Sequence, residues 1–288
     1  MLQNTSFQKD RFNPSLLLEE QAEAATRHLR PLFVLAPVAR CGTTLLQRLF
    51  NSSDHMIMFG ENEDVSRRLP ASVGFALSKS DLKQDISMVG DIEKLLTRDW
   101  IAGLFPGRAD SYLELALRNF YEVIEHYQTT AGKLGRRWGI KEPHTGQMEM
   151  IRRLLPQARF VCIYRNLFDV ARSYKTRGWL ESKFNVIKLA HDWQEETRQM
   201  FLCGTKNVLV IKYENLIATP DQELSRIEQF SDCSKIDRDL MRLKVNRSEF
   251  DMRGNSISTY RAPQELSKEE HETLLEYAGG MLRRLGYC

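Results

Sequence analysis

The chain reads as a three-layer α/β/α protein around a central parallel sheet, carrying a helical insertion over about residues 63–137. Three observations predict this. Short apolar runs recur at Leu32 to Ala36, Met56 to Phe59, Trp138 to Lys141, Arg159 to Tyr164 and Asn207 to Lys212, with helix-patterned stretches between them. The first run is continuous rather than alternating and is bounded by Pro31 and Pro37, the mark of a strand buried on both faces. Strands separated by helices need crossover connections, and these produce a parallel sheet covered on both sides.

Taken in order, residues 15–30 place Leu16, Leu17, Ala24, Ala25 and Leu29 on helical spacing before Pro31 stops the run, which predicts a packing helix. After the first strand comes a loop, then a helix from near Thr43 carrying Leu45, Leu46, Leu49 and Phe50. The stretch 63–137 is mostly helical in pattern, with breaks at Pro70, Gly90, Pro106 and Gly107, and is expected to cover a ligand site. A helix QMEMIRRLL joins the third and fourth strands, and a loop and a helix beginning near Asp169 follow the fourth. A helix through His191 to Leu202 leads into the fifth strand. Leu266, Leu274, Leu275, Tyr277, Met281, Leu282 and Leu285 mark a terminal helix packed on the sheet. With no internal repeat, low-complexity segment or linker, residues 1–288 are expected to form a single domain.

Composition narrows the function classes. The 288 residues are 42% hydrophobic, enough for a full core. A net charge of +3 is too small for an electrostatic nucleic-acid binder, so no DNA or RNA partner is expected. The five cysteines, Cys41, Cys162, Cys203, Cys233 and Cys288, are scattered without CxxC spacing, which indicates neither a disulfide framework nor a zinc site and favours a reducing compartment. The opening residues lack the apolar centre of a signal peptide, and no stretch reaches the roughly 18 apolar residues of a membrane span. A soluble, cytoplasmic protein without a membrane partner is the expectation.

Pro37 to Thr44 joins the first strand to a helix, where backbone N–H groups and the helix dipole can hold an anion. The G-x-x-x-x-G-K-[ST] pattern fails twice. Ala36 or Pro37 stands at the first glycine and Thr43 at the lysine, so a γ-phosphate with magnesium is poorly served. What remains is Arg40 as a fixed cation, Gly42 for close backbone approach, and the hydroxyls of Thr43 and Thr44. A second strand–loop–helix runs from Arg165 to Ser173, and it has an arginine where a triphosphatase strand would end in an acidic magnesium ligand. Two anion cradles at the carboxyl ends of neighbouring strands fit a nucleotide with two separated phosphates, such as a 3′,5′-bisphosphate.

Together these residues resemble the sulfotransferase superfamily that uses 3′-phosphoadenosine 5′-phosphosulfate (PAPS), closest to the branch of tyrosylprotein and bacterial small-molecule sulfotransferases. The resemblance runs from about Leu32 to Pro220, and more loosely to Ser267. It implies the phosphate-loop-like sulfotransferase fold, and it assigns Arg40, Cys41, Gly42, Thr43 and Thr44 to the 5′-phosphosulfate, with Cys41 in place of the usual serine. Arg165 and Ser173, eight residues apart, match the 3′-phosphate motif, while Asn166 and Leu167 depart from the common Asp-Pro. Tyr213-Glu214-Asn215-Leu216 resembles the element whose tyrosine lies by the nucleotide. Ser248 and Arg261 fall where the family has a loop closing over the nucleotide.

For catalysis, sulfuryl transfer needs a base, positive charge on the leaving oxygen and in-line positioning, and no metal is expected. Glu61, twenty-one residues after Arg40, stands where the tyrosylprotein branch has its catalytic glutamate. Lys141, in Lys141-Glu142-Pro143-His144, resembles the lysine that donates to the oxygen between phosphate and sulfur. Arg40 adds charge beside it. His144 is the rival base, ranked after Glu61. The product is 3′-phosphoadenosine 5′-phosphate (PAP), and the acceptor is expected to be a hydroxyl or amine of a small molecule, with a saccharide or peptide tyrosine open. Trp100, Phe105 and Tyr112 are expected near its pocket. The alternatives are a phosphate-loop kinase-like phosphotransferase and a non-catalytic nucleotide-binding protein.

Overall fold

The computed structural model describes residues 30–61, 109–146, 148–204, 207–243, 247–250 and 256–288. The helix expected over 15–30 and most of the insertion lie outside these residues, Trp100 and Phe105 among them. The described end of the insertion is one long helix.

Five parallel strands form the sheet: β1 (Leu32–Leu35), β2 (Met56–Phe59), β3 (Arg137–Glu142), β4 (Arg159–Tyr164) and β5 (Val208–Lys212), in the order β2-β3-β1-β4-β5. Successive side chains of a strand point to opposite faces, and both faces of the central strands β1 and β4 are apolar. Leu32 and Val34 of β1, with Val161 and Ile163 of β4, face a layer containing Leu46, Leu49, Phe50, Trp193, Leu274 and Leu282. Phe33, Leu35, Phe160 and Cys162 face the other, with Trp138, Ile140, Phe120 and Ile124. On that second face Phe33 stacks on Phe160 with ring centroids 5.6 Å apart. The three-layer reading from the sequence therefore holds, because strands without a polar face must be covered twice.

The helices between these strands are α1 (Thr43–Ser52), α2 (Ala109–Thr130), α3 (Met148–Leu154), α4 (Leu167–Thr176) and α5 (Lys183–Leu202). After β5 come α6 (Tyr213–Ala218), α7 (Pro220–Ser231), a short 3₁₀ turn at Arg238–Arg242, the antiparallel hairpin β6 (Arg247–Phe250) and β7 (Ser256–Thr259), and α8 (Lys268–Arg284). Two boundaries differ from expectation. Helix α4 starts at Leu167, not near Asp169, because the Asn166 side chain caps it by accepting the Phe168 N–H at 3.0 Å. Helix α5 starts at Lys183, eight residues before His191, under a Ser182 cap. Helices α6 and α7 and the hairpin were not foreseen.

The chain runs from β1 toward the β2 edge and from β4 toward the β5 edge, so the connections diverge between β1 and β4. Ligands of open parallel sheets sit at such a divergence, outside the carboxyl ends of the strands. At the opposite end of the sheet, Arg137 donates to the Ser231 carbonyl and Arg159 to the Phe230 carbonyl at 2.5 Å, closing the C-terminus of α7 with positive charge.

Candidate active site

The loop after β1 is shaped by two left-handed residues, Arg40 at φ 69° and Gly42 at φ 111°. A Cβ on Gly42 would stand 2.6 Å from Tyr213 Cδ2 and 3.1 Å from Ile163 Cδ1, so conformation and space both demand glycine. Helix α1 then begins without an acidic residue in its first turn or a side-chain cap, which leaves its N-terminal amides and dipole to an outside acceptor. Thr43 is buried and Thr44 exposed. Cys41 is fully buried, and burial pushes its thiol up to about 12. Its sulfur packs in the core, where it also meets the backbone of Val38 and Arg165.

The loop after β4 meets this one across the divergence. Arg40 Nε donates to Ser173 Oγ at 2.9 Å, and Arg165 Nη1 donates to the Arg40 carbonyl at 3.4 Å. The Arg165 guanidinium lies 4.4 Å from the centroid of the Tyr213 ring, a cation–π contact. Its Nε is buried with no hydrogen-bond partner among the described residues. Arg40 titrates below its ordinary value, first because it is buried and then because Arg177 and Arg165 crowd it with like charge. A cluster of guanidiniums around a bare helix start is relieved by an anion.

Toward the other edge, pairing of β2 with β3 sets Phe59 opposite Ile140, which brings the residue two beyond β2 beside the tip of β3. Lys141 there makes a direct ion pair with Glu61. The lysine side chain is only 7% exposed and the glutamate 55%, so the pair has one foot in the core and one in solvent. His144 is exposed beyond the strand end, and the next two residues are fixed by Glu196. That carboxylate accepts the backbone N–H of Thr145 at 2.6 Å and of Gly146 at 2.7 Å.

Arg40, Gly42, Arg165, Ser173 and Tyr213 are thus in mutual contact, and Glu61 and Lys141 form a second group. Ser248 lies in β6 opposite Ser258, and Arg261 is exposed just past β7. Tyr112 stands near the start of α2. Sequence reasoning missed Tyr174, whose hydroxyl takes a hydrogen bond from the Ala39 backbone, and Arg177. Both lie just beyond Ser173, and the i, i+4 spacing of Ser173 and Arg177 was an available signal. It also missed Trp193, whose indole N–H donates to the Arg165 carbonyl at 3.1 Å. Glu214 was quoted within its motif without a role. Among the described residues no three His, Cys, Asp or Glu side chains gather as a metal site, and no helix is long and apolar enough to cross a membrane.

Two nematode proteins provisionally named protein-tyrosine sulfotransferases are similar to part of the chain. The Caenorhabditis elegans protein is 31% identical over 118 residues, 38% of this chain and 44% of its own length. The Caenorhabditis briggsae protein is 28% identical over 134 residues, 44% of this chain and 48% of its own length. The matches therefore span about half the length of these relatives. Among solved structures, a Mycobacterium avium sulfotransferase superposes with a TM-score of 0.48 at 14% identity, over 94% of this chain and 80% of that one. The sulfotransferase of Alicyclobacillus acidocaldarius gives 0.45 at 15%, over 89% and 94%. The model of the sulfotransferase family matches residues 31–237, the whole span from the first strand through both arginine loops and the Glu61–Lys141 pair, and the chain belongs to that family.

Proposed function

We propose that the protein transfers the sulfuryl group of PAPS to a hydroxyl or amine of a small-molecule acceptor, with Glu61 as the base. The observation that carries this reading is the Lys141–Glu61 pair beside the arginine-lined phosphate loop. PAPS supplies a sulfuryl group joined through oxygen to the 5′-phosphate, and its 3′-phosphate provides the second anion. The cradles fit both charges. Gly42 admits no side chain where a phosphate approaches, and the Nε of Arg165, without a partner among the described residues, is a buried donor suited to an incoming acceptor.

Lys141 donates to the bridging oxygen as its bond to sulfur breaks, offsetting charge that grows in the transition state. Glu61 takes the proton of the attacking hydroxyl or amine. The two roles are linked, because a lysine turned toward the leaving oxygen releases the carboxylate it holds. Arg40 and Arg165 bind and orient the phosphates. A kinase-like reaction is disfavoured by Thr43 in place of the loop lysine and Arg165 in place of an acidic strand end. Peptide tyrosine is the second acceptor class, supported by the names of the nematode relatives.

Calorimetric titration of the purified chain with PAP, without magnesium and beside ATP, tests the donor. Metal-independent binding of PAP supports the reading, and a preference for ATP with magnesium would transfer the site to the kinase-like alternative. The base is tested separately. Glu61→Gln is expected to lower kcat about 10²- to 10³-fold, whereas His144→Asn, at an exposed position outside the pair, leaves kcat within about threefold. The reverse pattern would make His144 the base.

A further inference from the structure

The C-terminal turn makes a contact that the donor site's own motifs do not include. Helix α8 ends in a paired-bond turn, in which Tyr287 N–H donates to the Leu282 carbonyl at 2.9 Å and Gly286 N–H to the Arg283 carbonyl at 3.0 Å. Gly286 holds the left-handed conformation, φ 72°, that this turn requires. The turn sends Tyr287 back over the carboxyl end of the sheet. There Lys212 Nζ, at the tip of β5, lies 4.2 Å from its ring centroid and donates to the Leu285 carbonyl at 3.5 Å. Thus placed, Tyr287 donates its hydroxyl proton to Glu214 Oε2 at 2.8 Å. The other carboxylate oxygen, Oε1, accepts the backbone N–H of Asn166 at 2.8 Å.

Asn166 N–H and the Arg165 carbonyl belong to the same peptide unit. Glu214 holds one side of that unit and the Trp193 indole holds the other. A peptide plane gripped on both sides fixes the direction in which the Arg165 side chain departs, and a carboxylate accepting two hydrogen bonds is a firmer grip than one accepting a single bond. Burial first, and Glu214 second, raise the Tyr287 hydroxyl above its ordinary range, so it remains a donor at neutral pH.

We propose that Tyr287 and Glu214 are positioning residues of the donor site: the C-terminal turn locks the Arg165–Asn166 peptide so that Arg165 meets the nucleotide's 3′-phosphate. This rests on the PAPS reading above. It makes the end of α8 a working part of the phosphate site.

The test uses the full chain, with Tyr287→Phe and Glu214→Gln compared with the unaltered protein by amide hydrogen exchange, PAP titration and PAPS kinetics. Tyr287→Phe keeps the ring and its packing and removes one hydrogen bond. Exchange in the Arg165–Phe168 segment is expected to quicken about fivefold, the ratio expected for one lost hydrogen bond, while the segment covering α7 is unchanged. PAP binding weakens about three- to tenfold, KM for PAPS rises in step, and KM for the acceptor and kcat stay within twofold. The double variant is no worse than Glu214→Gln alone, because both act through one carboxylate. Unchanged exchange in Arg165–Phe168, or faster exchange everywhere with PAP affinity intact, overturns the proposal. Failure of the donor reading has a different signature: the unaltered chain then binds no PAP although the exchange difference persists, and the assignment to the nucleotide falls with it.

Discussion

Lys141→Met is expected to reduce kcat by about 10²- to 10³-fold, the range seen when one preorganised donor to developing charge is removed. PAP affinity should change by less than about threefold. Methionine keeps much of the length and volume of the buried stem and deletes only the ammonium. The partner left behind, Glu61, is 55% exposed at its side chain, so its charge returns to water and the fold is spared the cost of an unpaired buried ion. The measurement is steady-state kinetics with PAPS alongside PAP calorimetry. A kcat equal to that of the parent protein would mean that the pair only braces the ends of β2 and β3, and the proposed mechanism would be lost. A fall in KM and kcat together, with PAP affinity intact, would instead point to relief of ground-state strain.

Arg165→Ala is the second large effect, and it falls on affinity. The guanidinium sits over Tyr213 with its Nε buried and unpartnered among the described residues, so it is held ready before any ligand arrives. Hydrogen bonds to a charged phosphate contribute about 1.5–3 kcal/mol each, and loss of a two-pronged contact therefore weakens PAP by about 10²-fold or more. Adenosine 5′-phosphosulfate, which lacks the 3′-phosphate, should bind the variant and the parent almost equally. Equal losses for both nucleotides would assign Arg165 to the 5′ side instead. Arg165→Lys restores only part of the affinity, since an ammonium cannot present two parallel donors.

The parts of the site that the sequence made legible are local ones. Arg40, Gly42, Arg165 and Ser173 each sit in a strand–loop–helix whose pattern is visible within a dozen residues, and the structure brings both loops together. Glu61 and Lys141 are 80 residues apart, and neither flanking segment says that they touch; the parallel register of β2 and β3 does. Cys41 illustrates another limit. Read as a serine replacement it costs a hydroxyl donor, yet its fully buried position makes the sulfur a core atom, where a thiol packs more readily than a hydroxyl. Trp193 and the Glu214–Tyr287 contact were invisible for the same reason as the Lys141 pair, since each joins elements that meet only in the folded chain. The start of helix α5 at Lys183 is marked by the Ser182 cap, which accepts the Asn185 N–H, and not by a change in the apolar pattern, since Phe184, Val186 and Ile187 are already apolar.

The strand order β2-β3-β1-β4-β5 has a consequence for how the protein can change. Glu61 follows β2, Lys141 is the penultimate residue of β3, Arg40 follows β1, Arg165 follows β4 and Tyr213 follows β5. Each strand tip thus contributes one group, spaced across the sheet at about 4.8 Å per strand. On the proposed reading this row works as a ruler laid along the reacting molecules, with the acceptor over one edge, the breaking bond near the middle and the nucleotide's far phosphate toward the other edge. Bond-making and recognition are thereby assigned to separate ends of one rigid scale. A lineage could rework the acceptor end, at the β2 edge, without recalibrating the end that reads the donor.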